Sequence, residues 1–326
     1  MSHIYISEET DPYFNVAAEY QLFSEAEEDV SLFLWQNEPA VIFGRNQNVY
    51  AECDVSYLKQ AGILPVRRFS GGGAVYQDLG NLNFTFFAKE HCADPDTFLS
   101  VIKQAMDLIG VECAFSGRND LLCQGKKFSG HAYFVDNGNY LYHGTIMVNV
   151  DMDRLSGALS PSLLKLQSKG IASVRSRVIN LSQVNSLITI DAVKVSMIKA
   201  FRNVYGKNHP VIFVDRSILQ PEHWAMIQEK DWIFGEAPRF SIREERKLSF
   251  GLVSLSVDAE NGRIQRLKIH TDSLYSLDFT TFEREWVGAF FEINELFHHI
   301  EKYASASVPF ICYNQHIRSE GKDNEN

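Results

Sequence analysis

Three consecutive glycines, Gly71-Gly72-Gly73, separate two short apolar segments, Ile63 to Phe69 and Ala74 to Gln77. Glycine loses more backbone entropy on folding than any other residue. A run of three between two strands therefore marks an unusual turn or a close approach of backbone to another group. Arg67 and Arg68 stand just before the run. Their guanidinium forks suit carboxylate and phosphate oxygens, and glycine N–H groups can approach an anion closely. The stretch predicts a site where a small acid and a phosphate are held side by side. It is not a P-loop, which needs Gly-Lys-Ser or Gly-Lys-Thr, and no G-x-G-x-x-G opens a helix here.

Around this stretch the pattern alternates between strands and helices. A helix is expected over residues 12–28, capped by Asp11 with Pro12 in its first turn. Strands are expected at Leu32 to Trp35, Ala40 to Phe43 and Asn83 to Ala88, with a short helix near 54–61. The clearest helix starts at Pro95 after Asp94 and stops at Gly110, with Phe98, Val101, Ile102, Ala105 and Met106 on one face. Strands follow near 121–124, 127–135 and 140–149, the last two joined by Asp136-Asn137-Gly138, a hairpin signal. A helix capped by Asp191 runs to Gly206. After a mixed segment, alternation returns at Gly251 to Val257, turns at Asn261-Gly262, and is followed by helical patterns near 280–287 and 292–304. The chain is thus read as a large domain, residues 1–245, and a small α+β domain, residues 246–326.

With 326 residues and 45% hydrophobic content the chain can bury a sizeable core. A net charge of −10 excludes nonspecific binding to a nucleic-acid backbone, so an anionic ligand must be captured by local basic groups. The five cysteines have no C-x-x-C spacing, which speaks against a disulfide framework or zinc site. No apolar run reaches the ~18 residues of a membrane span, and Met1 to Tyr5 carries no signal-peptide pattern. A soluble, cytoplasmic monomer is expected.

Three further stretches place polar groups where a core has no use for them: Gly117-Arg118-Asn119-Asp120 with Gly125-Lys126-Lys127-Phe128-Ser129-Gly130, then His143-Gly144-Thr145, then a run from Lys165 to Arg177 with four cations in thirteen residues. Strand alternation sends Lys126 and Lys127 to opposite faces, so one is solvated while the other turns into a cleft. Each stretch has a bland counterpart. Loop cations are usually solvated and contribute little, and a lone histidine at a strand start is more often structural than catalytic. The functional signal is their coincidence with the triple glycine in one domain.

In order and spacing these stretches resemble the bacterial lipoate–protein ligases with a C-terminal accessory domain. The matching words are Arg68-x-Ser70-Gly71-Gly72-Gly73-Ala74-Val75-Tyr76, Gly117 to Asp120, Gly125 to Gly130, His143-Gly144-Thr145 and Ser168-Lys169-Gly170 through Leu181. Asn15-x-Ala17-x-Glu19, Phe33-Leu34-Trp35 and Gly44-Arg45-x-Gln47-Asn48 extend the likeness toward the N-terminus, and Trp232-x-Phe234-Gly235 and Thr271 to Leu274 toward the C-terminus. The resemblance implies an α/β fold with a mixed sheet, like that of biotin protein ligases, plus a small α+β domain that moves between half-reactions.

It also implies the chemistry: lipoate and ATP form lipoyl-AMP, and the lipoyl group passes to a lysine of a lipoyl domain, in E2 subunits or the glycine-cleavage H protein. By resemblance Lys127 is the central catalytic residue, acting through its charge on the lipoate carboxylate and the α-phosphate. Arg68, Gly73, Ala74, Val75, Tyr76, Asn119 and Asp120 would hold the nucleotide, with Asp120 either orienting Lys127 or binding Mg2+. Glu19, Trp35, Ser70, Gly71, Gly72, Leu141 and His143 would form the lipoate pocket. Gln77 stands where many relatives have histidine, keeping hydrogen-bonding ability without the option of charge. No function is attached to His131. The alternatives are an ATP-independent octanoyl or lipoyl transferase, which relies on a cysteine nucleophile, a biotin protein ligase, whose Gly-Arg-Gly loop is missing, and a catalytically weak lipoate-binding paralogue.

Overall fold

The computed structural model describes residues 3–45, 47, 49–116, 120–159, 177–206, 208–235, 240–271 and 277–307. Asn119, the basic run over 165–176, Asn48 and the segment 272–274 singled out above lie outside the described residues. Contacts divide the chain into two compact units, Met1–Ile233 and Phe234–Asn326. Among the described residues no helix is long and apolar enough to cross a membrane.

The first unit is a mixed α/β domain. Its large sheet holds β1 (Ile4–Ser7), β2 (Ser31–Trp35), β6 (Asn81–Lys89), β7 (Ala114–Ser116), β8 (Asp120–Cys123), β9 (Lys126–Asp136), β10 (Asn139–Met147) and β11 (Val211–Val214). They lie in the order β11-β1-β2-β6-β10-β9-β8-β7. The β1 pairings with β11 and β2 are parallel and the rest antiparallel. A small sheet of β3 (Ala40–Phe43), β4 (Leu64–Arg67) and β5 (Ala74–Gln77) has the order β4-β3-β5. The β9–β10 hairpin turns at Asn137 and Gly138, both with positive φ, as a type I′ turn requires.

Strand β6 is buried on both faces, and its alternation explains what each face does. Leu82, Phe84, Phe86 and Ala88 join the core with helices Pro95–Leu108 and Ile190–Tyr205; Phe86 stacks on Phe98 at 5.0 Å. The intervening Asn83 and Thr85 turn to the opposite face. The first helix ends at Ser24 rather than running to residue 28. Glu25, Glu27 and Glu28 follow, and carboxylates oppose the negative end of the helix dipole. The helix over Ile190–Tyr205 is capped by Thr189, whose Oγ1 accepts from the Ala192 N–H, with Asp191 in the first turn.

Arg67 is fully buried. Its Nε donates to Trp232 O at 3.0 Å, its Nη2 to Ile233 O at 2.7 Å, and its Nη1 to Arg45 O at 2.6 Å and Gln47 O at 2.9 Å. The Trp232 indole N–H returns a bond to Arg67 O at 2.9 Å. The basic pair is therefore divided: Arg67 is spent on backbone carbonyls, and only Arg68 is directed to the cavity described below.

The second unit is a three-stranded antiparallel sheet of β12 (Phe240–Leu248), β13 (Gly251–Glu260) and β14 (Arg263–Thr271), with helices Thr280–Glu285 and Ile293–Ser307. Val253, Leu255 and Val257 of β13 and Leu296, Phe297 and Ile300 of the last helix are all buried.

Arg67→Met should destabilise the protein by at least ~3 kcal/mol, because several buried carbonyls lose their donor at ~1–3 kcal/mol each; an unchanged urea midpoint would contradict this. His131 gives a pH test. It is buried between Ser129 Oγ and Tyr142 OH, both at 2.7 Å. Burial, reinforced by the Lys127 charge, pushes its pKa down to about 3. Between that value and ~6.5 the unfolded chain binds a proton that the native state does not, so stability rises with pH across this window, by up to ~1.4 kcal/mol per unit. Urea midpoints between pH 6.5 and 4 should fall less for His131→Gln than for the wild type.

Candidate active site

Five strands of the large sheet place one register row beneath a cavity. Trp35 on β2 pairs with Asn83 on β6, Asn83 with Thr145 on β10, Thr145 with Gly130 on β9, and Gly130 with Asp120 on β8. All five line a cavity of about 280 Å³. Neighbouring strands lie ~4.8 Å apart, so the row spans ~19 Å. The glycine loop and β5 form another wall, through Gly72, Gly73, Ala74, Val75 and Gln77, with Val16 and Ile42 beside them.

The cavity is electrostatically graded along this row. At the β8–β9 end, Lys127 Nζ meets Asp120 Oδ1 at 2.7 Å, both side chains more than a third exposed. A Cβ added to Gly130 would stand 2.6 Å from that ammonium, so the charge lies directly over the Gly130 backbone. Strand alternation holds as expected: Lys126 is exposed and Lys127 is turned to the cavity.

Arg68 approaches from the glycine loop. Its Nε donates to Ser70 Oγ at 3.0 Å and its Nη1 to Ile42 O at 3.1 Å. Burial, partly offset by the Glu19 carboxylate, lowers its pKa to about 10, which leaves it charged at neutral pH. Gly72 has φ +95, and a Cβ there would meet Arg68 Nη2 at 2.7 Å. The loop is shaped to the guanidinium that it surrounds.

Toward β6 and β10 the polar groups are hydrogen-bonded to one another. Glu19 Oε1 accepts from Thr85 Oγ1 at 2.6 Å and from His143 Nδ1 at 2.8 Å. Trp35 Nε1 donates to Thr85 Oγ1 at 3.4 Å. With Nδ1 donating, His143 Nε2 is left to accept the Ser70 hydroxyl at 3.3 Å. This carboxylate–imidazole–hydroxyl order is that of a nucleophilic triad, but Ser70 is buried, holds Arg68, and does not line the cavity. The relay braces the wall instead of presenting a nucleophile.

The residues singled out from the sequence thus converge only in part. Lys127, Asp120, Arg68, Gly73, Ala74 and Val75 meet on the cavity, as do Glu19, Trp35, Gly72 and His143. Tyr76 and Leu141 are buried off it, Gly71 is exposed beside it, and Asn119 lies outside the described residues. Sequence reasoning missed Val16, Ile42, Asn83, His131 and Ala132. For Asn83 a signal existed, since a polar residue between Leu82 and Phe84 in a buried strand must face something polar. The cysteines Cys53, Cys92, Cys113 and Cys123 lie off the cavity, burial raises Cys53 to about 12, and Cys312 is outside the described residues.

Comparison with known proteins agrees with this architecture. Residues 11–202 match the lipoyl protein ligase A/B catalytic domain, and residues 237–309 the bacterial lipoate protein ligase C-terminus. A lipoate-protein ligase A of Bdellovibrio bacteriovorus is 35% identical over 282 residues, 83% of each chain. A P. falciparum protein solved in complex with lipoate is 27% identical with a TM-score of 0.64, covering 93% of this chain and 99% of its own. A lipoate-protein ligase A bound with ATP shares the fold at 23% identity and a TM-score of 0.61, covering 71% of this chain and 98% of its own. Both matched domains and the curated relatives lead to one assignment: the chain belongs to the lipoate-protein ligase family and is a ligase of lipoate.

Proposed function

We propose that this cavity joins lipoate to ATP and then delivers the lipoyl group to a lysine of a lipoyl domain, as in E2 subunits and the glycine-cleavage H protein. The observation that carries the reading is the position of Lys127. Its ammonium lies over a glycine at one end of a cavity whose opposite polar groups are paired with one another. An acid with an apolar tail has one favourable orientation there, carboxylate at Lys127 and tail toward Trp35.

In the first step a carboxylate oxygen attacks the α-phosphorus of ATP. The α–β P–O bond breaks and pyrophosphate leaves. The charge that builds on the non-bridging oxygens is stabilised by Lys127, and Arg68 adds a second fixed cation at the glycine loop. In the second step the acceptor lysine, as a neutral amine, attacks the acyl carbon; the acyl–oxygen bond breaks, AMP leaves with the electron pair, and the amine proton passes to the departing phosphate or to water. Lys127 stabilises the transient oxyanion and forms no covalent bond. Asp120 holds the ammonium in place through the 2.7 Å contact.

The donor set fits magnesium as ATP carries it. Asp120 Oδ1 is engaged by Lys127, which leaves Oδ2, and Mg2+ is commonly held by one or two carboxylates together with substrate phosphates. Bound there it would screen the phosphate charge. The four described cysteines are free thiols, a usage that suits the reducing cytoplasm in which we place the reaction.

Incubation with lipoate, ATP and magnesium should release pyrophosphate and form lipoyl-AMP detectable by mass spectrometry; absence of the adenylate would sink the ligase reading. Lys127→Ala should lower adenylation by ~10²–10³, the usual effect of deleting one transition-state donor. Near-wild-type turnover would remove Lys127 from the mechanism. Gly130→Ala should leave the melting temperature nearly unchanged, because the clash is with the flexible end of a lysine. It should still cost about tenfold or more in adenylation, since a displaced cation no longer meets the charge it stabilises.

A further inference from the structure

Gln77 lines the cavity at the end of two chains of buried amides that hold its carboxamide in one orientation. The first chain starts at Asn15, whose Nδ2 donates to the backbone carbonyls of Glu9 and Gln36, each at 2.9 Å. Those carbonyls can only accept, so the Asn15 amide cannot be reversed. Its two N–H groups are shared with a third acceptor, Asn37 Oδ1 at 3.0 Å, one of them in a three-centre bond, and Asn37 Nδ2 then donates to Gln77 Oε1 at 2.8 Å. The second chain arrives from β6. Asn81 Nδ2 donates to Asn83 Oδ1 at 3.0 Å, and Asn83 Nδ2 donates to Gln77 Oε1 at 3.2 Å.

Two donors therefore converge on the oxygen of Gln77, and its Nε2 is turned the other way. Among the described residues that nitrogen has no protein hydrogen-bond partner, and it is not one of the sealed, unpartnered polar atoms of the fold. What remains for it is the cavity that Gln77 lines. Its place there follows from register. Gln77 touches Asn83, which lies two strands from Gly130 along the row Asn83–Thr145–Gly130. That is ~10 Å from the backbone over which the Lys127 ammonium sits, within reach of the tail of an eight-carbon acid held by its carboxylate.

We propose that Gln77 determines acyl specificity by presenting a fixed N–H donor to the tail of the bound acid. This rests on the reading that the cavity takes lipoate by its carboxylate. A tail with an acceptor atom pairs with the donor, and the sulfurs of a dithiolane are weak acceptors. A plain alkyl tail covers the donor without pairing it, and a buried unpaired polar group is what selective sites use to reject a ligand. The enzyme then discriminates against saturated acids of the same length by pairing, independently of pocket size.

The test measures kcat/KM for pyrophosphate release by the full-length protein with lipoate, octanoate and 7-oxooctanoate, which carries a carbonyl acceptor near its end. The wild type should prefer both lipoate and the oxo acid to octanoate by about tenfold. Gln77→Met, similar in volume but without the donor, should bring the oxo acid and octanoate within about twofold. Gln77→His, whose ring accepts the asparagine donors on one nitrogen and presents N–H from the other, should keep the preference. The idea is overturned if wild-type protein uses octanoate as well as the oxo acid, a comparison that needs no variant to fold, or if Gln77→Met keeps the full preference. No release with any acid, lipoate included, would overturn the ligase reading itself; release with lipoate but no discrimination overturns only the role of Gln77.

Discussion

The guanidinium of Arg67 is the contact on which the geometry of the site depends. It gathers carbonyls from the turn after β3 and from residues 232–233 onto β4. That turn in turn supports the glycine loop, since Gly44 N–H donates to Gly73 O and Arg45 N–H to Ser70 O. The loop then wraps Arg68. A cation held on backbone carbonyls thus fixes a backbone that positions its neighbour on the cavity. Burying an arginine is costly unless every donor is used, which is why the arrangement takes the form of a clamp and tolerates no half-measures.

From that frame the cavity acquires a gradient. Lys127 and Asp120 at one end are partly solvated, so the Lys127 ammonium remains open to an incoming anion. Glu19, Thr85, His143 and Ser70 at the other consume one another's hydrogen-bonding capacity. Polar groups that are fully paired within the wall compete little for a ligand, and an apolar tail can lie against them at small cost. A buried glutamate beside an apolar substrate is reasonable once its partners are counted.

Much of this was legible in the chain. The helix over Pro95–Leu108 announced itself through Asp94, Pro95 and a spaced apolar face, and the β9–β10 hairpin through Asn137-Gly138. The strands β1 and β11 were not: they pair in parallel with each other from opposite ends of the first unit, and no local turn or hairpin signal marks such a pairing. Strand β12, with Arg243, Glu244, Glu245, Arg246 and Lys247, carries the composition of a solvated loop and owes its strand state to pairing with β13. At the site, motif words located Lys127, Asp120 and Arg68. The words did not reveal that Arg67 is structural while its neighbour is not, since adjacent residues of identical chemistry are separated only by which way the strand turns them. Nor did they reveal the amide chains behind Gln77, whose members come from four separate segments.

The row from Trp35 to Asp120 also has a bearing on how such an enzyme measures its substrate. Its graduations are strands, spaced by backbone hydrogen bonds that no side-chain substitution can stretch. The spacing of that floor cannot change by small increments; the shape of the cavity can change only through the side chains that stand on it and on the facing walls, such as Trp35, Val16, Ile42 and Gln77. Backbone sets the scale of the site, and side chains alone set its outline.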